Sequence, residues 1–257
     1  MNAAPLSGQL DFQLMHQDDR LRVEVAPGRS GRLMVSFTSV GTERDQWPPK
    51  EFVKQASQDG RNHLICITDK SRCWMNHTGM DQTILRLVAD YVAQHEVRNI
   101  MTLGVSMGAF NALVFGRLMP VQRVIAFAPQ FSVHPDIVPE ETRWTFFRNQ
   151  ITDWRYRALD KLPKRPAKIY MFHGDSRDEQ HHWRQFPTAP NLRHYIFAGR
   201  DHNFVRQLKS ENLLPKIMIS AIRDDAQRMD EIVRSASGME RADYDHFEGA
   251  VRHFAER

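Results

Sequence analysis

Six short, nearly uninterrupted apolar runs constrain this chain more than any other feature. They occupy residues 32–38 (RLMVSFT), 63–68 (HLICIT), 99–105 (NIMTLGV), 123–128 (RVIAFA), 168–172 (KIYMF) and 193–198 (RHYIFA). A strand with one wet face alternates polar and apolar side chains; these runs do not. They suit strands buried on both faces, which requires a parallel sheet covered by helices. Helical periodicity fills several of the gaps. Residues 80–93 place Ile84, Leu85, Leu87, Val88, Tyr91 and Val92 on one broad side, with Asp81 near the start, and a second apolar pattern runs from Met107 to Leu118. Strand and helix signals in alternation predict an α/β fold with a mostly parallel central sheet. Residues 10–27 add two alternating strands around a turn at 17–19. The chain has 257 residues, enough to bury a sizeable core, and carries no repeat or low-complexity linker, so residues 1–257 read as one domain.

Two segments break the rhythm. Residues 131–166 hold Phe131, Trp144, Phe146, Phe147, Trp154 and Tyr156 and are too long for a bare loop, which predicts a small helical cap insertion. Trp144 and Phe147 are its candidates for lining a substrate pocket, and Arg143, Arg148 and Arg155 could meet an anionic substrate or form a solvated face. The tail, 213–257, carries two helical patterns separated near 235–238. The first includes Ile217, Ile219, Ile222 and Met229, and the second Tyr244, Phe247, Val251 and Phe254. It could pack against the body or build a homodimer interface.

The net charge is +4, but the basic residues are scattered, and no stripe interleaved with stacking aromatics suggests nucleic acid as a partner. Two cysteines, Cys66 and Cys73, make no disulfide framework, and Cys66 lies within a core-like run. The first residues lack the basic and apolar regions of a secretory signal, and no stretch approaches the roughly 20 apolar residues of a membrane span. The expectation is a cytoplasmic protein. His181 and His182 are adjacent, so on a helix they diverge by about 100°, and no metal-ligand spacing completes them.

The third apolar run ends in Gly104-Val-Ser-Met-Gly108 and passes directly into a helical pattern. A strand that turns at once into a helix forces the residue at the bend into a strained conformation. Glycines on either side remove the side chains that would obstruct it. Ser106 would stand at the apex with Oγ lifted clear of the sheet, beside helix N–H groups that favour negative charge. This is the Gly-x-Ser-x-Gly nucleophile elbow.

A serine hydroxyl needs a base, and the base needs a carboxylate to orient it. In this architecture they follow in the order acid, then histidine, each just past a later strand. After the run ending at Phe172 comes His173-Gly-Asp-Ser-Arg-Asp178, and after Ala198 comes Gly199-Arg-Asp-His202. His202 is the candidate base. Asp178, further into its loop, is the favoured acid, and Asp175 at the strand end is the alternative. Asp201 adjoins His202 and is poorly placed to orient it, while His173 is expected to pack beneath the loop.

Together these residues resemble the α/β-hydrolase family over roughly 30–215. The resemblance implies a serine hydrolase with no metal or organic cofactor, acting on a small-molecule ester or thioester through an acyl-enzyme on Ser106. It also implies an oxyanion hole built from the backbone N–H of Met107 and one from the loop at 39–42, with Val40 nominated and Gly41 close behind. The chain departs from the family in having Thr38-Ser-Val-Gly41 where many lipases and esterases carry His-Gly-Gly-Gly, in its two-aspartate acid loop, and in its long tail. The competing readings are a catalytically silent binding protein on the same fold, or an acyltransferase using the same three residues.

Overall fold

The computed structural model describes residues 10–255, with side chains through Glu248. Two N-terminal strands, β1 (Gln13–Gln17) and β2 (Leu21–Ala26), precede β3 (Arg32–Phe37), α1 (Val53–Ser57) and β4 (His63–Asp69). Next come α2 (Met80–Gln94), β5 (Asn99–Val105), α3 (Met107–Leu118) and β6 (Arg123–Phe127). Then follow α4 (Thr145–Arg148), β7 (Lys168–Gly174), α5 (Arg177–Trp183) and β8 (Leu192–Phe197). The last elements are α6 (Phe204–Ser210), α7 (Leu214–Arg223), α8 (Ala226–Ser235), β9 (Gly238–Glu240) and α9 (Arg241–Ala255).

All nine strands join one sheet in the order β1-β2-β4-β3-β5-β6-β7-β8-β9. From β4 through β8 every neighbouring pair is parallel, and the β1–β2, β2–β4 and β8–β9 pairs are antiparallel. The six apolar runs are β3 to β8, and the period of two sorts their side chains between two cores. Val124, Ala126, Ile169 and Met171 face α2 and α3, whereas Ile125, Phe127, Tyr170 and Phe172 face α6, α7 and α8. Cys66 belongs to the second core, where burial pushes its thiol up to about 12. Among the described residues, no helix is long and apolar enough to cross a membrane.

The segment 131–166 is less helical than its length suggested: α4, a single turn, is its one α-helix. Prolines at 135, 139, 163 and 166 interrupt longer helices. Side chains satisfy part of the irregular backbone, with Ser132 Oγ donating to the Arg157 carbonyl and Asn76 Oδ1 accepting from the Tyr156 N–H. The tail also differs from two simple helices. Asp224, in the left-handed region at φ 61°, separates α7 from α8, and β9 adds an antiparallel edge to β8. In α9 Tyr244 packs edge-on against Trp183 and Phe247 is exposed, while the side chains of Val251 and Phe254 lie outside the described residues.

The bend between β5 and α3 depends on close backbone approach. A Cβ on Gly104 would lie 2.2 Å from the Gly108 carbonyl carbon, and one on Gly108 would lie 2.2 Å from the Phe37 carbonyl oxygen. The two glycines let α3 settle onto β5 and onto the end of β3. Gly108→Ala is therefore expected to cost about 2 kcal/mol or more through backbone displacement, lowering the thermal midpoint by roughly 5 °C. An unchanged midpoint in a calorimetric scan would show that α3 does not sit this close to β3.

Candidate active site

Ser106 occupies the bend with φ 56° and ψ −124°, a conformation that L-residues adopt only under constraint. Its N–H bonds to the Phe127 carbonyl at the end of β6 (2.8 Å), and its own carbonyl accepts from Ala109 and Phe110 as α3 begins. The backbone is thus fixed on both sides, and the side chain is 96 residues away in sequence from the histidine it meets. Ser106 Oγ lies 3.0 Å from His202 Nε2. His202 stands in the turn between β8 and α6, where Asp201 Oδ1 accepts from the Asn203 N–H and steadies the loop.

The other ring nitrogen meets a carboxylate that was not among the candidates. His202 Nδ1 lies 2.7 Å from Glu179 Oε1, so neither Asp178 nor Asp175 holds the imidazole. The loop expected to carry the acid is already helix at that point: Ser176 caps α5, and Asp178 and Glu179 are consecutive residues within it. Consecutive helical side chains diverge by about 100°. Asp178 turns to solvent and Glu179 turns inward, 1% exposed. Asp175 has another task, with Oδ1 accepting from the Gly199 N–H (2.8 Å) and Oδ2 from the Tyr244 hydroxyl (3.1 Å), tying the β7 and β8 loops to α9.

Burial alone would raise the Glu179 carboxyl, but the His202 imidazole beside it, with His173 and Arg143, outweighs this and holds it down at about 2. Ionised Glu179 can only accept, so His202 Nδ1 carries a proton, and in the neutral tautomer this selects, Nε2 is the acceptor facing the Ser106 hydroxyl. Arg143 stands 3.6 Å from Glu179 and donates to both oxygens of Glu141. Glu141 in turn meets His182 Nε2 at 2.8 Å. His182 is thus buried structure, not half of a metal pair, and His173 is buried too. His173 Nε2 donates to the Pro129 carbonyl (3.0 Å), with His194 at its Nδ1, and burial lowers it to about 4.

Two further residues at the site carried no sequence signal. Gln130, just past β6 and fully buried, approaches Ser106 Oγ with Nε2 at 2.7 Å. Its Oε1 lies 3.2 Å from the indole Nε1 of buried Trp74. Of the two proposed pocket aromatics, Trp144 stands 6.3 Å from the His202 ring, centroid to centroid. Phe147 instead packs in the core beneath the Arg72 guanidinium. The three arginines considered for an anionic substrate are engaged within the protein: Arg143 by Glu141, Arg148 by the Glu141 carbonyl and Arg155 by Asp81.

Met107 opens α3 directly after Ser106, and Val40 lies in the loop past β3 whose Phe37 and Thr38 carbonyls abut Gly108. Buried Arg72 clamps that loop. It donates to the carbonyls of Val40, Glu43 and Gln46 on one side and of Lys70 on the other. Among the described residues no carboxylate is in hydrogen-bond contact with Arg72, which serves as a clip joining the 40–46 loop to the segment that presents Trp74.

No protein-family model matches the sequence, and no curated protein matches it. Solved structures do resemble it. The capsule O-acetyltransferase of Neisseria meningitidis serogroup A superimposes with a TM-score of 0.56 at 12% identity, over 82% of this chain and 96% of that one. MGS-MChE2, an α/β-hydrolase enzyme from the metagenome of sediments of the Mar Chica lagoon, Morocco, superimposes with a TM-score of 0.50 at 14% identity, over 82% of this chain and 99% of that one. At such identities the likeness is one of architecture: the chain has the α/β-hydrolase fold.

Proposed function

We propose that the protein is a serine hydrolase that cleaves a carboxylic ester or thioester through an acyl-enzyme on Ser106. The observation that carries this reading is the aligned set Ser106 Oγ, His202 Nε2 (3.0 Å) and His202 Nδ1, Glu179 Oε1 (2.7 Å), on a serine held at φ 56°. In the first step Oγ attacks the substrate carbonyl as its proton passes to His202 Nε2. Glu179 fixes the tautomer and balances the imidazolium. The backbone N–H of Met107, with one from the Val40 loop, receives the developing oxyanion. His202 then returns the proton to the departing alcohol or thiol, and a water activated by the same ring releases the acid. An acceptor alcohol could replace water, as the shared fold of an O-acetyltransferase suggests. Product analysis with added glycerol separates hydrolysis from transfer.

A fluorophosphonate should label the wild-type chain at Ser106, and Ser106→Ala should abolish labelling. Glu179→Gln should lower kcat on p-nitrophenyl acetate by about 10³–10⁴, while Asp178→Asn and Asp175→Asn stay within about tenfold of wild type. A loss at Asp178 with full activity in Glu179→Gln would refute the assignment.

Glu179 also gives a pH signature. Its carboxyl lies at about 2 in the fold, below the roughly 4.3 of an unfolded glutamate, so its ionised form stabilises the fold above that value. That contribution fades as pH falls from about 4 toward 2. The difference in urea midpoint between wild type and Glu179→Gln should therefore be largest at neutral pH and shrink across this window. A constant difference from pH 7 to 2.5 would contradict the depressed carboxyl.

A further inference from the structure

We infer that Gln130 is a catalytic residue, a side-chain oxyanion donor that acts beside the backbone N–H of Met107. The inference rests on the acyl-serine reading above. Its orientation is not arbitrary. An amide can turn either its oxygen or its nitrogen toward a partner, but an indole N–H can only donate. Trp74 Nε1, 3.2 Å away, therefore requires Gln130 Oε1 on its side and leaves Nε2 facing Ser106 Oγ at 2.7 Å. Both residues are fully buried, which removes the competing option of bonding to bulk solvent.

The amide nitrogen carries two hydrogens. One is committed to Ser106 Oγ, and the other bonds no protein group among the described residues. Oγ in turn accepts from Gln130, so its own proton is directed to His202 Nε2. When Oγ bonds to the substrate carbon, the former carbonyl oxygen hangs on that same carbon. Reach of Oγ alone does not define an oxyanion donor, since His202 Nε2 has it too. The oxyanion is assigned to the Gln130 side of Oγ, where the uncommitted N–H of Nε2 can turn to it, and the leaving group to the His202 side. Proton and electron bookkeeping is unchanged: the Oγ–C bond forms, the carbonyl π pair moves onto oxygen, and the Oγ proton goes to His202. Gln130 exchanges no proton. It supplies a fixed dipole where the negative charge appears.

The segment presenting Trp74 is built to hold it. Arg72, Trp74 and Met75 all have positive φ, at 49°, 48° and 63°. Asn76 Nδ2 donates to the carbonyls of Cys73 and Trp74, and Arg72 clips the same segment to the 40–46 loop. A strained, heavily bonded loop that ends in a buried indole aimed at one amide oxygen is a positioning device for that amide.

The test uses the full chain and p-nitrophenyl acetate, with phenylboronic acid as a probe that forms a tetrahedral adduct on the serine. Gln130→Met keeps the volume and removes the donor. It should lower kcat by about 10²–10³ with KM within about threefold, and weaken phenylboronic acid by a similar factor. A merely structural role would not tie kcat to boronate affinity. Trp74→Phe frees the amide without removing it and should cost a smaller factor in both quantities, which keeps the test open if Gln130→Met does not fold. Wild-type kcat in either variant, or a kcat loss with unchanged boronate affinity, overturns the role of Gln130. If the wild-type chain itself is neither labelled by fluorophosphonate nor active on the ester, the acyl-serine reading fails, and this inference with it.

Discussion

Ser106 can face His202 only because no side chain separates the first turn of α3 from the strand ends beneath it. Gly104 and Gly108 bring backbone against backbone, and a Cβ at either would lie 2.2 Å from a main-chain atom. That approach forces the chain to reverse within one residue, and the residue in the bend takes φ 56°. The strain is sustained because the elements on either side are well buried, with α3 in one core, the buried Met101 and Leu103 of β5 in the other, and β6 contributing to both. Stability and geometry at the site therefore have one origin: the sheet is stiff enough to hold a conformation that an isolated turn would abandon.

Around that bend the hydrogen bonds run in one direction. The Trp74 indole donates to Gln130, the Gln130 amide to Ser106, the Ser106 hydroxyl to His202 and the His202 Nδ1–H to Glu179. A donor-only indole stands at one end and an acceptor-only carboxylate at the other. These ends fix the amide orientation and the imidazole tautomer without reference to any ligand. Behind the carboxylate, Arg143 and Glu141 bring the 131–166 insertion into the same network, so the insertion helps set the charge state of the site as well as covering part of it.

Much of this was legible in the sequence. The apolar runs became β3 to β8 because strands buried on both faces leave no room for polar alternation. The Gly104–Gly108 pattern marked the bend because close backbone approach admits no other residue. The carboxylate that meets His202 lies one position beyond the expected Asp178. Ser176-Arg-Asp-Glu179 has the Ser-x-x-Glu spacing of a helix start, and the divergence of about 100° that separates His181 from His182 also separates Asp178 from Glu179. Treated as helix, the segment allows only one of the two carboxylates to face inward. Gln130 and Trp74 were beyond such reasoning, since their meeting spans 56 residues and depends on where two irregular segments cross. The insertion was overread as helical because its length was given more weight than its prolines.

The most direct measurement is the proton NMR spectrum of the imidazole N–H groups in protein labelled with ¹⁵N-histidine. A His202 Nδ1–H held by an ionised, buried carboxylate should give a strongly downfield, slowly exchanging resonance. The account predicts that it persists in Asp178→Asn and disappears in both His202→Ala and Glu179→Gln. A resonance that survives Glu179→Gln, or that is lost in Asp178→Asn, would mean that a different carboxylate stands behind the ring.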